Sequence, residues 1–96
     1  MVRHVLFNKL KENTPENRQA LIDRFLSMRG KVPVIVEVNA YEDFLHSARS
    51  YDVILEVTLN SREDLDTYAK DPYHCSFVKP FVHEVRESGI SIDYEY

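Results

Sequence analysis

The sequence holds a single cysteine, Cys75, two glycines and four prolines in 96 residues, and its twelve Lys and Arg are outnumbered by sixteen Asp and Glu. One thiol allows no intrachain disulfide and no multi-cysteine zinc or iron–sulfur site, so an oxidising compartment loses its main support. The cations are scattered rather than striped and the formal net charge is -4, which removes the electrostatic footprint of a nucleic-acid binder. No run of about 18 apolar residues occurs, and Met1-Val2-Arg3-His4 opens a patterned segment rather than a charged leader. A soluble, cytoplasmic protein without membrane contact is expected. At this length one domain spanning residues 1–96 is the prior, and it would bury about 60–65% of the surface of its unfolded chain. Small-molecule chemistry, protein association, or both remain open.

What is present is strong patterning. Val2 to Lys9 is rich in strand formers, with Val5 and Phe7 on one face and His4, Leu6 and Asn8 on the other. Thr14-Pro15-Glu16 supplies a cap, a proline at the first helical position and an acid at the positive helix end, which predicts a helix from Pro15 to about Arg29 with Leu21, Ile22, Phe25, Leu26 and Met28 as its buried stripe. Gly30 is placed to end it. After the turn at Pro33, the β-branched row from Val34 to Glu42 predicts strand two, with Val34, Val36, Val38 and Ala40 sharing a face. Asp43 to Ser50 has no period and suggests a long loop. From Tyr51 to Leu59 the alternation is clearest, with Val53, Leu55 and Val57 against Asp52, Ile54 and Glu56. Ser61 with Asp64 opens a second helix to about Lys70, Pro72 opens a further one carrying Tyr73, Phe77, Val78 and Phe81, Pro80 bends it, and Ile90 to Tyr96 alternates as strand four.

Strand, helix, strand, strand, helix pair, strand is the order of a ferredoxin-like α+β protomer, with a four-stranded antiparallel sheet and helices on one face. The helix-free face should then be polar in a monomer. Here strand one offers apolar residues to both sides and strand three places Ile54 opposite an apolar face, so a second copy covering that face in a homodimer is expected.

Four histidines are available, none in an i, i+4 pair that would make a metal face, and no metal is expected. Asp71-Pro72-Tyr73-His74 with Tyr68 is the nearest approach to a chemical motif: an imidazole that titrates near neutrality and a phenol able to donate to a developing oxyanion, on either side of a helix break. On residue type alone, capping or packing is the commoner role for such a histidine. His4 would join them if its face looks toward the helices and would lie in a subunit interface if it looks outward, since alternation does not say which face is inside. His46 is expected in solvent, His83 on the polar side of the last helix, Asp52 and Glu56 on a solvated strand face, and Cys75 as a small buried residue.

These residues together resemble the stress-responsive A/B barrel domain family, Dabb. The resemblance is carried by His4-Val5-Leu6-Phe7, Tyr51-Asp52-Val53-Ile54-Leu55-Glu56-Val57, Pro72-Tyr73-His74 followed by Phe77-Val78 and Pro80, and Ile92-Asp93-Tyr94, in register over nearly the whole chain. It implies a dimeric α+β barrel of ferredoxin-like protomers. It also implies a pocket for a small-molecule ligand. A plant polyketide cyclase similar to the family closes an aromatic ring without a cofactor, and its tyrosine and histidine fall on Tyr68 and His74, with a strand-one histidine on His4. The sequence departs from that cyclase at Asp71, where cyclase-like members read His-Pro-x-His, and at Val53, where the cyclase has another pocket histidine. The implied activity is cofactor-free acid–base chemistry on a carbonyl or phenolic compound. The alternatives are a noncatalytic stress-responsive dimer in which the same residues are structural, and a cofactor-free monooxygenase of related fold.

Overall fold

A computed structural model describes residues 1–96. The chain forms β1 (Val2–Leu10), α1 (Pro15–Leu26), β2 (Glu37–Glu42), β3 (Val53–Leu59), α2 (Arg62–Lys70), a wide turn at His74–Val78, α3 (Lys79–Val85) and β4 (Arg86–Glu95). The strands lie in the order β2-β3-β1-β4 with every neighbouring pair antiparallel, a ferredoxin-like α+β fold with the helices on one face.

Local signals set the helix starts. Thr14 accepts a hydrogen bond from the Asn17 amide and Ser61 one from the Asp64 amide, each satisfying an otherwise orphaned donor of the first turn. α1 stops at Leu26 rather than Arg29, and the chain closes through turns to Gly30, whose φ of 78° is the left-handed conformation that favours glycine. Met28 is still fully buried beyond the helix end. Strand two begins at Glu37, three residues later than its β-branched row suggests. The Ile35 amide donates back to Val32 in a turn, which leaves Val36 about half exposed instead of on the face of Val38 and Ala40. Strand four starts earlier than expected, at Arg86, because β1 is long enough to pair with it through Leu10.

The core lies between helices and sheet: Val2 and Leu10 of β1 and the whole inward row of β3 pack against Leu21, Phe25, Tyr68 and Val82. Val2 and Leu10 share parity with His4, so His4 faces the helices. Three polar residues are buried, Asn8, Asp52 and Thr58. The Asn8 amide donates to the Val53 carbonyl at 3.2 Å. Asp52 is buried, not on a solvated face: it accepts from the Leu10 amide at 2.8 Å and from Asn13 at 2.9 Å, tying the end of β1 to the start of β3.

The opposite face carries Val5, Phe7, Ile54, Ile90, Ile92 and Tyr94 with no helix over it. Ile90 and Ile92 are 53% and 59% exposed. A hollow of about 450 Å³ lies on this side, lined by Phe7, Ile54 and Ile90 together with Asp43, Arg49 and Tyr51 of the loop before β3. No helix is long and apolar enough to cross a membrane.

Candidate functional site

The helix break positions the first two candidates. Asp71 ends α2, and its carboxylate accepts from the His74 amide at 3.0 Å, so the residue that departs from the cyclase pattern caps the next turn. Pro72 stands at the first position of that turn, where its missing N–H costs nothing. Pro80 has no N–H, and its ring would collide with the Ser76 carbonyl in a regular helix. The chain widens instead, with the Lys79 amide donating to His74 five residues back. This turn sends His74 and Val78 inward and leaves Cys75 exposed, contrary to its expected burial.

His74 and Tyr68 stack, their ring centroids 4.3 Å apart and the planes at 22°. His4, entering from β1, has its ring centroid 5.7 Å from that of Tyr68. The three residues sequence reading singled out are therefore together, and all line one cavity of about 240 Å³ between the sheet and α2 and α3. Tyr68 is only 3% exposed. Its hydroxyl makes no hydrogen bond within the chain, yet no side-chain polar atom is sealed without a partner, so this oxygen opens to the cavity.

Hydrogen bonds fix the proton positions. His74 Nδ1 lies 3.0 Å from the Tyr68 carbonyl, which can only accept, so Nδ1 carries the hydrogen and Nε2 keeps its lone pair. Burial, aided by the Lys79 cation, lowers the His74 pKa below the ordinary histidine value against the opposing pull of the Tyr68 and Ala69 carbonyls and Asp71. At neutral pH His74 is a free base. Burial, reinforced by the charge of Asp71, pushes the Tyr68 phenol well above its ordinary range, so it stays protonated and can donate. His4 Nδ1 meets the Asp93 carboxylate at 2.5 Å, and the two residues are direct cross-strand partners of β1 and β4. That contact puts the Nδ1 hydrogen of neutral His4 toward Asp93 and leaves Nε2 as acceptor.

Sequence reasoning missed Asp93 as a partner of His4. Its signal was parity on strand four, readable only once the register with β1 is known. It also missed two cations, Lys79 and Arg86, which line the same cavity beside His83. His83 is exposed, as its helical position suggested, but at the cavity edge. His46 sits in the loop with its side chain 47% exposed. Val53 is buried in the core and takes no part. No group of three or more His, Cys, Asp or Glu converges in a way that could hold a metal ion.

A family model described as "Stress responsive A/B Barrel Domain" matches residues 2–96. Among solved structures, a dimeric protein of unknown function and ferredoxin-like fold from Bacteroides fragilis aligns over 99% of this chain and 95% of its own, with a TM-score of 0.79 and 22% identity. Hydroxynitrile lyase from Passiflora edulis aligns over 97% of this chain and 90% of its own, with a TM-score of 0.80 and 21% identity. A structure described as an antibiotic biosynthesis monooxygenase aligns over 100% of this chain and 98% of its own at a TM-score of 0.72 and 10% identity. These likenesses concern the fold. None of the curated proteins matches the chain.

Proposed function

The chain belongs to the stress responsive A/B barrel domain family, and on that premise we propose that it binds a small carbonyl or phenolic compound in the cavity of His4, Tyr68 and His74 and performs cofactor-free acid–base chemistry on it. One observation carries the reading: a neutral base and an unpartnered phenol converge on one cavity. In such a step His74 Nε2 would take the proton adjacent to a carbonyl or on a phenol. The Tyr68 hydroxyl would donate to the oxygen on which negative charge develops, and a fixed donor in a water-poor site stabilises that charge far better than solvent does. His74, protonated in that step, returns the proton to product or leaving group, and His4, oriented by Asp93, offers Nε2 to the same cavity as a second acceptor. The cavity is below the roughly 300–1,000 Å³ of sites for drug-sized ligands, which favours a compound of one ring or a short chain.

The working unit of this reading is a homodimer. An exposed face with Ile90, Ile92 and Tyr94 is more apolar than soluble monomers tolerate, and two sheets packed face to face about a twofold axis would cover it in the manner of a dimeric α+β barrel. The exposed thiol of Cys75 suits a reducing, cytoplasmic compartment.

A second reading has its own support. His74 satisfies a carbonyl at the end of α2 and stacks on a core tyrosine, as a purely structural histidine would in a noncatalytic stress-responsive dimer. The monooxygenase alternative has fold likeness alone behind it, and fold does not imply activity. NMR titration of the histidines with small phenols and β-keto compounds separates the first two. Ligand-dependent shifts at His74 and His4 support the binding reading, and silence at both across the set leaves the structural one.

A further inference from the structure

Of the residues lining the His4–Tyr68–His74 cavity none is acidic, although Asp and Glu outnumber Lys and Arg sixteen to twelve in the chain. Lys79 and Arg86 lie on its rim, and neither takes part in any of the five ion pairs of the molecule. The nearby acids are already engaged: Asp93 holds His4 and Asp71 caps the turn at His74. Arg86 has one long contact, 3.4 Å to the Asn8 side-chain oxygen. Its position depends on a neighbour without a side chain. A Cβ at Gly89 would come within 2.6 Å of the Arg86 guanidinium, so the glycine leaves the space that the guanidinium occupies beside the cavity. Gly89 has no positive φ that would require glycine for its backbone.

We propose that the ligand of this cavity carries an anionic group, in its simplest form a carboxylate, which Lys79 and Arg86 hold at the rim while the carbonyl or phenolic part meets Tyr68 and His74. The inference rests on the small-molecule reading above and adds the substrate class. Two unpaired cations at a cavity edge attract an anion from water and orient it. A guanidinium in addition matches a carboxylate with two parallel hydrogen bonds.

The test compares 4-hydroxybenzoate with 4-hydroxybenzamide, which share a ring and a phenol and differ in charge. Calorimetry should give the anion about tenfold tighter binding, of the order expected of a charge-assisted pair, and a preference that shrinks as salt is raised. Gly89→Ala should reduce the preference by displacing the Arg86 side chain, and Lys79→Gln should reduce it further. Both positions lie at the surface, and the wild-type comparison needs no variant. Equal affinity for the two compounds overturns the anionic assignment and leaves the cavity a binding site. Binding of neither overturns both readings, and an undiminished preference in the double variant places the anion elsewhere and overturns the assignment too.

Discussion

Replacing Tyr68 by phenylalanine separates a working phenol from a packing ring. The ring is 3% exposed, stacks on His74 and packs with the core residues of α3 and β3, so its removal by Tyr68→Ala should cost about 3–5 kcal/mol of stability, as large aromatic truncations in cores do. The hydroxyl differs. It makes no hydrogen bond within the chain, so Tyr68→Phe strands no partner and should change stability by less than about 0.5 kcal/mol in equilibrium urea denaturation. Ligand affinity should respond instead. Loss of a single hydrogen bond of about 0.5–1.5 kcal/mol corresponds to a roughly two- to tenfold weaker Kd, and a lost oxyanion donor to about 100–1,000-fold in turnover where a reaction is found. Calorimetry on wild type and Tyr68→Phe with one phenol or β-keto ligand reads the first figure directly. The reasoning is refuted by a variant destabilised by more than about 1 kcal/mol with unchanged affinity, because the hydroxyl would then be bonded inside the protein.

Three further outcomes are expected. Asp52→Ala removes the acceptor of a buried backbone amide and of Asn13 and should lower stability by about 2–4 kcal/mol in urea, while a loss under about 1 kcal/mol would mean that water replaces the carboxylate. His74 has a folded-state pKa below that of the unfolded chain, so the unfolded state binds the proton first as pH falls: this stabilisation is present above about pH 6.5 and is lost on descending through the lower folded value. Denaturation midpoints of His74→Gln should accordingly fall less than those of wild type between neutral and mildly acidic pH, and parallel curves would contradict the assignment. Ile92→Asp places a charge on the helix-free face midway along the edge strand β4, where its cost to an isolated protomer is small because the side chain is already 59% exposed. Sedimentation should show the variant as a monomer where wild type is a dimer, and an intact dimer would move the interface to another surface.

Much of the fold was legible because its signals are local. Thr14 and Ser61 cap helices by bonding amides three residues ahead, and β3 alternates buried and half-buried residues from Val53 to Val57. Legibility failed where a contact distant in sequence decided. Val34 and Val36 look like strand residues, yet the turn closing onto Val32 delays the strand to Glu37, and Val36 meets β3 only through its amide on the Thr58 carbonyl. Asp52 reads as the outward member of an alternating row, but it precedes the strand and bends inward to the end of β1. Cys75 has the small apolar character of a core residue, and the widened turn forced by Pro80 rotates it to the surface.

Tyr68 and His74 were legible as a pair because six residues and a helix break separate them. His4 was legible only as a residue type on one of two faces. What the sequence determined by itself is therefore each element, its two-sided pattern and the apolar excess on both sides of the sheet, since these depend on spacings of two to four residues. The tertiary structure decided which face looks inward, that Asp93 meets His4 across 89 residues of chain, and that Lys79 and Arg86 border the same cavity without carboxylate partners. The reason is physical: alternation is symmetric under exchange of faces, and only helix packing on one side and strand register break that symmetry.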